Sequence, residues 1–131
     1  MQKDTADDDT EGTTMRILLA DDEPSIRRLY QQMLEGNGYD IVAAIDGKEA
    51  LERVTNESFD LMILDLNMPI LDGFEVMTKM KEAGKKTPVI VMTGHFPEEV
   101  VEDRLEGLSV VEVLRKPVMI TTLLNAVKRV T

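Results

Sequence analysis

From Met15 to the end of the chain, short apolar runs alternate with stretches in which apolar residues recur at helical spacing. The runs are Arg16 to Ala20, Ile41 to Ile45, Leu61 to Asp65, Val89 to Thr93 and Val110 to Leu114. Between and after them lie five stripes: Ile26, Leu29, Tyr30, Met33 and Leu34; Ala50, Leu51 and Val54; Phe74, Met77 and Met80; Val101, Leu105 and Leu108; and Leu123, Leu124 and Val127. Five strand-then-helix repeats predict an α/β domain, a doubly wound (βα)5 fold on a five-stranded parallel sheet.

Local signals place the joints. Pro24 suits the first position of the first helix, where its fixed φ helps and its missing N–H is no loss, and Gly36 and Gly38 end that helix. Asp46 with Glu49, and Asp72 with Glu75, predict N-terminal caps in which the Asp accepts from an exposed amide and the Glu reaches back. Gly84 closes the third helix before Pro88 introduces strand four. Glu98 and Glu99 favour the positive end of the fourth helix, Lys128 and Arg129 the negative end of the last. Val100 lies off the buried stripe and is expected at the surface.

The 131 residues are enough for one domain with a proper core and exclude a second catalytic one. The chain has no cysteine, which removes disulfides, thiolate metal sites and cysteine nucleophiles. Its apolar runs are far short of the roughly 20 residues of a membrane span, and no signal peptide precedes them, so a cytoplasmic protein without membrane insertion is expected. The net charge of −10 argues against direct nucleic-acid binding. Residues 1–14 carry Asp4, Asp7, Asp8, Asp9 and Glu11 against Lys3 and almost no aliphatic side chain, and are expected to be a disordered acidic extension of a domain at 15–131.

Candidate chemistry collects where the apolar runs end. Asp21, Asp22 and Glu23 follow strand one, Asp65 strand three, Thr93 strand four and Lys116 strand five. In a parallel sheet these ends share one rim, where open α/β sheets bind ligands. If strands one and three are neighbours, three aspartates crowd into one crevice, and a cation is needed to neutralise them. All-oxygen ligation with few protein groups suits Mg²⁺. Such an ion bridges carboxylate and phosphoryl oxygens, while Lys116 and the Thr93 hydroxyl reach the remaining phosphoryl oxygens. Asp65, between metal ligands and lysine, is the best nucleophile. Singly, each residue has a plainer reading, as helix cap, turn residue or solvated lysine; their joint order on successive strand ends carries the prediction.

Asp21-Asp22-Glu23-Pro24, the stretch from Asp65 through Asn67, Pro69 and Asp72 to Gly73, Val91-Met92-Thr93-Gly94 and Leu114-Arg115-Lys116-Pro117 together resemble the receiver domain of two-component response regulators. The resemblance covers 15–131. It implies a flavodoxin-like sheet of strand order 2-1-3-4-5, with Asp65 taking phosphate from a histidine kinase or a histidine phosphotransfer protein. Asp21, Asp22, Asp65 and the backbone carbonyl of Asn67 would hold Mg²⁺, with Mn²⁺ able to replace it. Thr93 and Lys116 would bind the phosphoryl group, Asn67 and His95 would tune its lifetime, and Lys116-Pro117 would be a cis bond. The kinase partner is expected beside the first helix, near Ile26, Tyr30 and the Pro69 loop.

Receivers usually carry Tyr or Phe where this chain has Val113. The resemblance therefore implies intact chemistry with a different readout, through the loop and helix after Thr93, with Val100 and Val113 as apolar surface. The expected product is a signalling switch that promotes its own phosphorylation and dephosphorylation rather than an enzyme. With the sequence ending at Thr131, a stand-alone receiver or one cut from a longer regulator is expected, so the downstream partner stays open. Two alternatives stand beside this reading: a receiver-fold interaction module that works without phosphorylation, and a haloacid-dehalogenase-like phosphatase. The latter expects a second acid where this chain has Asn67. A flavin carrier is disfavoured by the absence of Trp and the presence of only two Tyr.

Overall fold

The computed structural model describes residues 14–94 and 96–131; residues 1–13 of the acidic extension, and His95, lie outside the described residues. Ten elements alternate: β1 Arg16–Ala20, α1 Pro24–Gly36, β2 Asp40–Ala44, α2 Gly47–Asn56, β3 Leu61–Asp65, α3 Gly73–Glu82, β4 Val89–Thr93, α4 Glu98–Leu105, β5 Val110–Arg115 and α5 Ile120–Val130. The five strands form one parallel sheet in the order β2-β1-β3-β4-β5. Both predictions of the sheet, its class and its order, are met.

Alternation along the strands builds two cores. Leu18, Ala20, Met62, Leu64, Val89 and Val91 point to one face, where residues of α2, α3 and α4 pack on them. Ile17, Leu19, Leu61, Ile63, Ile90 and Met92 point to the other, against α1 and α5. Every residue of β3 and β4 is buried, which explains why these read as unbroken apolar runs. At 25 cal/mol per Å², each fully buried aliphatic side chain contributes about 1.5–3 kcal/mol, so the central strands anchor the rim that follows them.

The helix starts follow their caps. Glu23 caps α1 through Ile26 N, with Pro24 in the first turn as expected. Asp72 and Glu75 form a complete capping box on α3. At α2 the Asp46 carboxylate accepts from Glu49 N at 2.8 Å, but Glu49 reaches one residue further back than a capping box would, accepting from Ile45 N at 2.8 Å.

The other differences have simple physical causes. The second strand runs one residue earlier than its apolar run suggests, because Asp40 pairs with Arg16 while Ile45 has passed the sheet and is 54% exposed. α4 ends at Leu105, so Leu108 packs on the core from the following turn. On α1, Tyr30 and Leu34 are buried, whereas Ile26 and Leu29 are exposed, the first because it lies level with the rim. Among the described residues no helix is long and apolar enough to cross a membrane.

β5 departs from regular pairing. After Val89 pairs with Val110, Ile90 pairs with Glu112, so Val111 is an extra residue on the edge strand. Beyond that bulge Glu112 turns to the α5 face and ion-pairs with Arg129, while Val113 turns to the α4 face.

Candidate functional site

Parallel strands bring Ala20, Leu64 and Val91 level with one another, so the residues that follow them meet at one rim. Asp21, Asp22 and Asp65 each offer a carboxylate oxygen, and these lie within 4.8 Å of one another. Asp21 and Asp65 are buried; Asp22 is exposed. Burial is the largest influence on Asp21 and raises its pKa above the ordinary carboxylate value. The Glu23 amide bonded to it opposes that, Asp65 adds to the rise, Lys116 opposes it, and Asp22 adds again.

Asp65 is gripped from two sides. Asn67 N donates to its Oδ1 at 2.9 Å, and Lys116 Nζ donates to Oδ2 at 2.8 Å. Lys116 is itself placed by β5, whose register sets Arg115 against Thr93, and by its own N–H, which donates to the Thr93 carbonyl at 2.8 Å. Gly94 makes room for it: a Cβ there would come within 3.2 Å of Lys116 Cβ. Gly73 does the same beneath Asp65, since a Cβ would lie 2.7 Å from Leu66 Cδ2 and 2.8 Å from Leu66 Cα.

Two buried polar atoms at this rim, Thr93 Oγ1 and Asn67 Oδ1, have no hydrogen-bond partner among the described residues. Such atoms are unfavourable in a folded interior unless something else meets them. The three carboxylates, all oxygen donors and mutually repelling, are a fitting set for a hard divalent cation of the Mg²⁺ type. The Thr93 hydroxyl and the Lys116 ammonium can each donate to a tetrahedral oxyanion.

Between α1 and the segment after β5 a groove of about 450 Å³ opens beside the acids, walled by Asp21, Ile26, Tyr30, Lys116, Pro117 and Val118. Burial, and after it the charges of Asp21 and Asp65, holds the Tyr30 phenol above its usual pKa, so it is a protonated donor. The Lys116-Pro117 bond is cis. On the α4 side, Val113 is 38% and Val100 40% exposed, and Val113 borders a cavity of about 160 Å³ with Glu98, Val101, Glu102 and Arg115.

The structure thus brings Asp21, Asp22, Asp65, Asn67, Thr93 and Lys116 to one rim, and leaves Val113 apart, on the face of α4. His95 falls among the residues not described. Sequence reasoning missed three supports. Tyr30 Oη donates to the Val118 carbonyl at 2.6 Å, a contact between positions 88 apart that no local signal announces. Leu71 N donates to the Pro69 carbonyl at 2.8 Å across Ile70, whose φ is 73°, making a three-residue turn in the loop after Asp65. Gly47 seats that loop, as a Cβ there would be 1.8 Å from the Leu71 carbonyl oxygen.

A family model described as the response regulator receiver domain matches residues 17–128. The transcriptional regulatory protein PrrA of Mycobacterium tuberculosis is 34% identical over 122 residues, 92% of this chain and 51% of its own length. The chain spans about half the length, or less, of the curated relatives it matches. Among solved structures, the receiver domain of the Francisella response regulator 1452 is 30% identical with a TM-score of 0.82, covering 89% of this chain and 96% of that one. The response regulator TrrA of Thermotoga maritima, solved in complex with Mg²⁺–BeF, is 31% identical with a TM-score of 0.78, covering 90% of this chain and all of the other.

Proposed function

This chain belongs to the response regulator receiver family of two-component systems, and from that premise we propose that it is a phosphoacceptor switch that carries an aspartyl phosphate on Asp65. The observation that carries this reading is the position of Asp65: buried, 2.8 Å from Lys116 Nζ, and within 4.8 Å of the Asp21 and Asp22 carboxylates. The donor is a phosphohistidine of a histidine kinase or phosphotransfer protein. An Asp65 carboxylate oxygen attacks phosphorus, the P–N bond breaks, and the leaving imidazole nitrogen keeps the electron pair and takes up a proton.

Asp21, Asp22 and Asp65, with the Asn67 carbonyl, would hold Mg²⁺. When bound, that ion neutralises negative charge shared between the carboxylates and the phosphoryl oxygens. Lys116 already donates to the attacking carboxylate, and it keeps a positive charge beside the group once the phosphoryl oxygens arrive. Thr93, whose hydroxyl has no partner among the described residues, gains an acceptor. Asn67 stands where a hydrolase of the haloacid dehalogenase kind would need a second acid, and an amide cannot carry that proton, so the phosphate stays long enough to signal. Asn67 and His95 tune that time. Residues 15–131 form the receiver and 1–14 an extension. The exposed Val100 and Val113 belong to the readout surface that replaces the usual aromatic switch.

Incubation with Mg²⁺ and acetyl phosphate, followed by intact mass, tests the proposal. One phosphoryl group is expected on the wild type and none on Asp65→Asn. Equal addition to both, or none to the wild type, refutes it.

A further inference from the structure

Lys116 owes its aim to two ties on the main chain around it. In front, its N–H donates to the Thr93 carbonyl at 2.8 Å, which joins it to β4. Behind, the Tyr30 hydroxyl donates to the Val118 carbonyl at 2.6 Å, which joins the segment to α1. Pro117, between them, has no N–H to contribute. Among the described residues no other side chain bonds the main chain of residues 116–119. One flank of the segment borders the groove of about 450 Å³, so packing does not hold it on that side.

A phenylalanine at position 30 would fill the same volume in the core that α1 and α5 share, to which Ile63, Val118 and Leu123 also belong. The hydroxyl therefore adds one thing only, a bond that leaves α1 and ends two residues beyond the lysine. Burial keeps that hydroxyl a donor, with only 5% of Tyr30 exposed.

We propose that Tyr30 is a positioning residue for Lys116: through the Val118 carbonyl it fixes the path of the chain from which Lys116 Nζ reaches Asp65 Oδ2 at 2.8 Å. The inference rests on Lys116 being the phosphoryl partner. Because a misplacement of about 1 Å at a reacting group can slow a reaction on the order of a hundredfold, losing one of two ties predicts a smaller, roughly tenfold, fall.

The test uses the full chain. Tyr30→Phe is expected to slow phosphorylation by acetyl phosphate roughly tenfold at saturating Mg²⁺ while leaving Mg²⁺ affinity unchanged, since the carboxylates are untouched. In the Lys116→Ala background the same substitution is expected to change nothing further, because positions acting through one group are not additive. The Lys116 ε-methylene NMR signal is expected to be sharp in the wild type and to broaden or split in Tyr30→Phe. para-Aminophenylalanine at position 30, which restores a donor, is expected to recover most of the rate. An unchanged rate in Tyr30→Phe, the same fold loss with and without Lys116, or no recovery with the restored donor overturns the inference. If the wild type takes no phosphate, the reading of Asp65 has failed and this inference falls with it; phosphorylation that ignores Tyr30 removes the inference alone.

Discussion

Ile70 holds a φ of 73° at the centre of the turn closed by Leu71 N and the Pro69 carbonyl. A β-branched residue resists that region because Cβ crowds the neighbouring carbonyl, and turns of this hand are strained. The strain is of the order of 1–3 kcal/mol. Little burial offsets it, since Ile70 is 69% exposed. Glycine removes the clash and costs about 0.4–1 kcal/mol through the freer unfolded chain. Ile70→Gly is therefore expected to stabilise the domain by about 1 kcal/mol, seen as a higher urea midpoint at unchanged m-value. A lower midpoint would show that the turn is relaxed as it stands.

At the scale of elements, the loop after β3 is seated on the start of α2. Gly47→Ala drives a Cβ into the Leu71 carbonyl, a backbone atom that cannot swing aside. About 2–3 kcal/mol of destabilisation is expected, as for overpacked cores, whereas Gly36→Ala, with nothing within 4 Å, should be neutral or slightly stabilising. Equal effects of the two in denaturant melts would mean that α2 and the loop are not in rigid contact. This seating was invisible in the sequence, where Gly47 reads as part of a cap, because its reason lies in a carbonyl 24 positions away. Ile45 misled for the opposite cause: a run of apolar residues names a strand without saying where its neighbour stops. The rim was legible because unbroken apolar runs name the central strands and the polar residues that follow them mark where chemistry can sit. Tyr30 was not, since a single aromatic on a helical stripe looks the same whether or not its hydroxyl has a distant partner.

For the molecule as a whole, parallel strands separate two ends. At one lie the three aspartates. At the other Arg16 ties Glu57 at 2.8 Å, bonds Asp60 through its N–H at 2.8 Å and covers the Phe59 ring at 4.6 Å. Hydrogen bonds from Arg53 and then Arg16 hold the Glu57 pKa below its usual value. A cation that binds only the folded chain stabilises it by mass action, about 2.7 kcal/mol at a hundred times its dissociation constant. Mg²⁺ is thus expected to raise the thermal midpoint of the wild type. Asp22→Ala, which removes an exposed carboxylate and little packing, should keep the metal-free midpoint and lose most of that rise. An identical shift in both proteins would place the ion elsewhere.

The extra residue at Val111 bears on how such molecules behave in a crowd. An edge strand is a template for a neighbour's backbone, and β5 is one of the two edges of this sheet. With Val111 outside the ladder, the strand bends and its outward amides fall out of step with any straight strand laid along them. A foreign strand could match a few of those amides before losing register. One unpaired valine thus lets the domain leave apolar side chains at Val111 and Val113 exposed without offering its sheet edge for pairing into aggregates.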